Sequence, residues 1–164
     1  MTGLKINLGC GYDGKEGYVN VDRVKTPCVD VLADVMRLPF REGVFCEGYM
    51  SHVLEHLPDP DGGMRELCRI VEGGGAIIIR VPHAFTHSSF LNPTHRIHFL
   101  IGTVLYWTHF NEFGVPLFDL QNTELRTGRE VWNKILNYRA LFWERLVFPI
   151  WLLNPEIVYT LRKK

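Results

Sequence analysis

Several features are missing from this 164-residue chain, and each absence removes a class of protein. Neither charge is in excess, since 18 Lys and Arg balance 18 Asp and Glu. That argues against a general nucleic-acid binder, whose electrostatic footprint is a basic surplus. There is no C-x-x-C, and the four cysteines, Cys10, Cys28, Cys46 and Cys68, lie far apart. Neither a zinc ribbon nor a disulfide framework is therefore suggested. No charged-then-apolar leader follows Met1, and no apolar run approaches the roughly 20 residues that cross a bilayer. Internal repeats, low-complexity tracts and dividing linkers are also lacking. What is present is a hydrophobic content of 46%, which supports a globular fold over disorder. The expectation is a single domain over residues 1–164, soluble, reduced and cytoplasmic, with enough chain to bury a core.

The most informative stretch is Lys5-Ile6-Asn7-Leu8-Gly9-Cys10-Gly11-Tyr12-Asp13-Gly14, followed by Tyr18-Val19-Asn20-Val21-Asp22. Two short apolar runs stop, one at a glycine pair and the other at an acid. Glycine has no Cβ and tolerates positive φ, so a nucleotide can lie against its backbone. An acid closing the neighbouring strand can accept both hydroxyls of a ribose, outside the carboxyl ends of the strands. Gly9, Gly11 and Gly14 also spell G-x-G-x-x-G. A dinucleotide site, however, needs a full helix behind the glycines and an acid about 20 residues on. Asp22 arrives after a segment, residues 12–17, with room for a turn or so of helix. A ligand without phosphates fits better than a pyrophosphate.

These residues resemble the class I S-adenosylmethionine-dependent methyltransferases, and within them a small methyltransferase-like subgroup that opens L-N-L-G-C-G and continues G-x-x-N-x-D. The likeness runs on through Val31-Leu32-Ala33-Asp34 with Leu38-Pro39-Phe40, Ser51-His52-Val53-Leu54-Glu55-His56-Leu57, Met64-Arg65-Glu66-Leu67-Cys68-Arg69 and Gly73-Gly74-Gly75. It ends in Ile79-Arg80-Val81-Pro82-His83 and Asn92-Pro93-Thr94-His95, so it covers roughly residues 5–100. The resemblance implies a Rossmann-like three-layer sandwich with a mostly parallel central sheet and a reversed strand near the C-terminus. It implies S-adenosylmethionine as cofactor, leaving as S-adenosylhomocysteine. Its cofactor-binding positions fall on Asn7, Gly9, Cys10, Gly11, Asp22, Asp34, Val35, Ser51, His52 and His56. Two features depart from the usual class I pattern: Asn7 stands where an acid precedes the first glycine, and the helix between the first two strands is nearly absent.

Taken in order, strands are expected at residues 5–8, 18–21, 29–32, 44–50 and 76–81. Asp34 either accepts from the adenine amino group, as the resemblance implies, or caps a helix or turn beginning at Val35. Asp59-Pro60 reads as N-cap and first helical position, and Met64, Leu67, Cys68 and Val71 share one helical face. Gly73-Gly74-Gly75 is expected to end that helix. Alternating strands and helices argue for a parallel sheet covered on both sides. Beyond Pro82, a helix is expected over 102–113 and strands over 118–125 and 157–162. Helical spacing also links Val131, Ile135, Tyr138, Phe142 and Leu146 as far as Pro149. The cofactor part occupies about 1–100, and 101–164 forms an acceptor, lid or dimerisation part.

Methyl transfer from a sulfonium is an in-line displacement, which positioning alone advances by roughly 7–11 kcal/mol. A hydroxyl or ammonium acceptor also needs a base, and histidine suits that task near neutral pH. His83, at a strand end, and His95, in the Pro93-Thr94-His95 turn, are the candidates, each with a purely structural role as the alternative. His56 is read as structural or functional on equal terms. His83-x-x-x-His87 and His95-x-x-His98 have spacings that could hold zinc if helical, but Pro82 and Pro93 break helix there, so no metal site is expected. The apolar, aromatic residues 142–153 suit a core or homodimer element, or a peripheral membrane contact that admits a small-molecule, glycan-linked or lipid-linked acceptor. Two other functions remain open: a non-catalytic adenosylmethionine-binding module that completes a partner enzyme, and an NAD-dependent oxidoreductase.

Overall fold

The computed structural model describes residues 3–109, 117–127, 137 and 154–164. The helical spacing expected over 131–146, the aromatic segment 142–153 and the end of the helix expected over 102–113 lie outside the described residues.

Seven strands form one sheet: β1 (Leu4–Leu8), β2 (Val19–Asp22), β3 (Val31–Leu32), β4 (Phe45–Ser51), β5 (Val71–Pro82), β6 (Phe118–Arg126) and β7 (Glu156–Lys163), in the order β3-β2-β1-β4-β5-β7-β6. The pairs β1/β2, β2/β3, β1/β4 and β4/β5 are parallel, and β7 runs antiparallel to both β5 and β6. The sheet is thus the mostly parallel one expected, with a single reversed strand near the C-terminus. The order turns back at β1, with β2 on one flank and β4 on the other. Parallel α/β sheets open a crevice at such a reversal.

The central strands alternate between fully and partly buried residues, with Tyr49, Ile78 and Arg80 half-buried on the face opposite the core. Ile6, Leu8, Met50, Ile77, Ile79 and Val81 are all buried in the core. Helix α1 (Pro60–Ile70) makes the crossover from β4 to β5. Asp59 caps it by accepting from the Gly62 N–H at 2.9 Å, and Pro60 occupies the first turn, where a missing donor costs nothing. Its Met64, Leu67, Cys68 and Ile70 are buried. A Cβ on Gly48 of β4 would come within 2.7 Å of Leu67 Cδ1, so a glycine is what lets the helix approach the strand.

The glycine triplet does not end α1. The helix stops at Ile70, and Val71 is already extended with φ −82° and ψ 139°. Register along β4/β5 then passes from Phe45↔Val71 to Glu47↔Ala76, so Gly73-Gly74-Gly75 is carried inside β5 as extra residues. Gly74 takes φ +77° there, which a β-branched residue would resist. The third expected strand shrinks to Val31–Leu32. The chain after β5 folds into the short helix α2 (His87–Leu91), a 3-10 turn (Ile101–Val104) and the single helical turn α3 (Leu105–Thr108), in place of the start of one longer helix. Trp107 of α3 donates to Asp61 of α1 at 3.1 Å and pins this segment over the helix. No helix among the described residues is long and apolar enough to cross a membrane.

Candidate functional site

The carboxyl ends of β1, β2, β3 and β4 surround two cavities of about 370 Å³ and 330 Å³ that share Gly9 and His52 as common walls. The end of β1 is built from bare backbone. Gly9 and Cys10 both donate their N–H to the Val21 carbonyl, at 2.8 and 3.1 Å, which ties the loop to β2. Gly9 has φ +66°, and a Cβ there would lie 2.2 Å from Val53 Cγ2. Gly11 has φ +50°, and a Cβ on it would meet nothing within 4 Å. Both backbone positions are therefore shaped for a close approach that a side chain would obstruct or strain.

The larger cavity has acid at two strand ends. Asp22 lines it, and its carboxylate is held by the N–H of Gly11 at 2.8 Å and of Val24 at 2.9 Å. Gly11 itself lines neither cavity; it orients Asp22. A carboxylate offers about four lone-pair sites, so two amides leave it capacity for ligand hydroxyls. Asp34, Val35 and Met36 follow β3 along the same wall, and Asp34 accepts the Met36 N–H at 2.9 Å. Asp34 thus caps a turn and lines the cavity at once, and no helix starts at Val35. His56 and Thr94 close the far side, with His56 Nδ1 2.9 Å from Thr94 Oγ1.

The smaller cavity carries both signs of charge. Asn7, Cys10, Asp13, Lys15, Tyr49 and Ser51 line it. Asn7 donates to Asn20 Oδ1 at 2.9 Å and to the Asp13 carbonyl at 3.2 Å, so it braces the loop. The Lys15 ammonium stands 4.2 Å from the Tyr49 ring centroid, a cation–π seat that keeps it at the cavity. Burial raises the pKa of the Cys10 thiol, which keeps it protonated and makes it a wall, not a nucleophile.

Between the cavities sits His52, with φ +55°, a conformation uncommon outside glycine. Its Nε2 lies 3.0 Å from Glu156 of β7 and its Nδ1 lies 3.3 Å from Glu55. The hydrogen bond to Glu156, with the Glu55 carboxylate beside the other ring nitrogen, pushes its pKa up to about 9, so the ring is an imidazolium at neutral pH. In return Glu156, held by His52 and by an ion pair with Arg80, is pulled down to about 2. Charge at the junction is thereby fixed by β4, β5 and β7 together.

The two expected bases fall differently. His83 is fully buried and lines neither cavity, and its Nδ1 accepts the Phe85 N–H at 3.1 Å. His95 also lines neither, but its ring packs 4.6 Å from that of His56. Sequence reasoning missed Asp13, Lys15, Val53, Thr94 and Glu156. Lys15 lies one residue past the glycine loop and was within reach. Glu156, 104 residues from His52, had no local signal.

The methyltransferase-domain family model matches residues 7–79. The chain is 29% identical over 79 residues to sterol 4-C-methyltransferase strm-1 of Caenorhabditis elegans, a stretch that is 48% of this chain and 23% of that protein, so it spans about a quarter of that relative's length. Among solved structures, an S-adenosylmethionine-dependent methyltransferase from Archaeoglobus fulgidus superposes with a TM-score of 0.68 at 16% identity, over 98% of this chain and 86% of the other. One from Mesorhizobium loti gives 0.63 at 16% identity, over 99% and 92%. At such identities the superpositions establish the fold. The family's cofactor is S-adenosylmethionine, and the glycine-walled crevice fits a nucleoside without phosphates, because residues 9–18 contain no helix whose N-terminus a pyrophosphate could use. Residues 7–79 thus match the methyltransferase domain, and the sheet whose order reverses at that crevice has the fold of the S-adenosylmethionine-dependent methyltransferases on which it superposes.

Proposed function

We propose that this protein transfers a methyl group from S-adenosylmethionine to a small-molecule, glycan-linked or lipid-linked acceptor. The observation that carries this reading is the pair of cavities joined at Gly9, acidic on one side and doubly charged on the other. The larger holds the adenosine: Asp22 accepts from the ribose hydroxyls and Asp34 from the adenine amino group. The smaller holds the amino-acid end, with Lys15 facing its carboxylate and Asp13 offsetting its ammonium. Asp13 thus takes the role that Asn7, being neutral, does not fill. Bound there, the cofactor supplies an electrophilic methyl group on sulfur. The chain's own contribution is to hold that group in line, exclude water and hold protons where they belong. Where the acceptor must lose a proton, the work falls to the His56–His95 side of the cleft and not to His83, which is sealed in the core.

The nicotinamide alternative is weakened by the same helix-free loop. Calorimetry decides between them: adenosylhomocysteine is expected to bind one per chain and NADH not at all. The opposite pattern would overturn the transferase reading.

A further inference from the structure

Beside the cleft, three side chains from two segments, the two histidines just named and Glu55, converge on one point. Glu55 and His56 end the 3-10 turn Leu54–His56, and His95 follows the turn through Pro93 and Thr94. Ligand atoms of Glu55, His56 and His95 all lie within 4.8 Å of one another. The two imidazole rings meet at 66°.

Their hydrogen bonds fix which nitrogen is left over. Thr94 gives its hydroxyl hydrogen to Asn92 Oδ1 at 2.8 Å, so its oxygen receives the Nδ1–H of His56 at 2.9 Å. The Ser89 carbonyl, which can only accept, receives the Nδ1–H of His95 at 2.9 Å. Each neutral ring therefore keeps a lone pair on Nε2. Outer partners of this kind set the tautomer and the ring orientation of metal-bound histidines.

Glu55 supplies the independent observation. It is 0% exposed, and neither carboxylate oxygen has a hydrogen-bond partner among the described residues. Its one ion-pair neighbour among the described residues, His52 Nδ1, stands 3.3 Å from Oε1 outside hydrogen-bonding geometry and is shared with Glu156. A buried carboxylate left in that condition is costly unless something else coordinates it.

We propose that Glu55, His56 and His95 form a binding site for a divalent transition cation. Two imidazoles and one carboxylate are donors suited to zinc, iron(II) or cobalt, whereas magnesium and calcium prefer all-oxygen shells. Three protein ligands leave coordination positions open, on the side where His56 and Thr94 line the larger cavity. An oxygen donor of the acceptor is the ligand class those positions take. That role rests on the transferase reading, while the binding of the ion does not.

The test uses the full chain stripped with a chelator, titrated with Zn²⁺ by calorimetry and with Co²⁺ by visible ligand-field absorption. One ion per chain is expected. Glu55→Gln and His95→Ala should each lower affinity by more than the roughly 10–100-fold that loss of an outer partner costs, and Thr94→Val by about that amount. Stoichiometric binding unchanged in both ligand variants would place the ion elsewhere, for instance on the free thiols, and overturn the site. If a variant fails to fold, the wild-type Co²⁺ spectrum decides, since absence of a ligand-field band overturns the proposal. Adenosylhomocysteine is titrated into the same metal-free protein. Binding of that nucleoside without Zn²⁺ binding removes the ion site alone, and Zn²⁺ binding without the nucleoside removes the transferase reading alone.

Discussion

At the scale of single residues, Asp22 joins local structure to the proposed ribose contact, because the same carboxylate holds two backbone amides and faces the larger cavity. Hydrogen bonds to charged groups contribute about 1.5–3 kcal/mol each. Asp22→Ala is therefore expected to weaken adenosylhomocysteine binding by on the order of 10–100-fold in calorimetry, and an unchanged affinity would refute the ribose contact. Gly9 allows a sharper double substitution. Gly9→Ala meets Val53 and also demands positive φ, so Val53→Ala relieves the clash without relieving the backbone, which for an L-residue costs roughly 1–2 kcal/mol. The pair should melt above Gly9→Ala and still below wild type.

His52 makes the residue scale pH-dependent. Its folded pKa, about 9, lies above the ordinary 6.5, so its contribution is complete below about 6.5 and is lost as pH rises through 9. Glu156, about 2 against an ordinary 4.5, contributes fully above 4.5 and loses that contribution as pH falls through 2. The network is complete between those ordinary values. With His52 42% exposed, the effect is modest after solvent screening. Thermal melts from pH 6 to pH 9.5 should show a falling midpoint in wild type and a flatter profile in His52→Asn; parallel profiles would deny the network this role.

At the scale of elements, the sequence was legible wherever one physical signal acted alone. Asp59-Pro60 and the apolar face of Met64, Leu67 and Cys68 locate α1 because capping, proline tolerance and periodicity agree. The end of α1 was misjudged because glycine marks two different things, a helix terminus and a strand irregularity, and only the pairing of Val71 with Phe45 separates them. The chain after residue 101 takes a 3-10 turn and then one α-helical turn, whose Trp107 docks on Asp61 of α1. The site followed the same rule. Residues within the glycine loop and at the ends of β2, β3 and β4 could be read in advance, whereas Glu156 arrives through sheet topology. Packing at the α1/β4 contact sets the size of a third effect: Leu67, fully buried over Gly48, should cost about 2–5 kcal/mol when cut to alanine, read as a lowered denaturation midpoint.

At the scale of the whole molecule, one sheet provides both the scaffold and the chemistry, since the strand that reverses direction also delivers Glu156 to His52. β7 is hydrogen-bonded along both sides, to β5 and to β6, and its Tyr159 is fully buried with its hydroxyl donating to the Leu100 carbonyl. Every described contact that β6 makes within the sheet runs through it.

Such a strand also acts as a guard. If residues 155–164 are deleted, β5 becomes an open rim bearing Ile77-Ile78-Ile79, the kind of unsatisfied apolar border on which other chains stack. The shortened protein should elute from a sizing column as large assemblies instead of a single small species. The polarity of one late strand would then be what keeps neighbouring copies from joining their sheets.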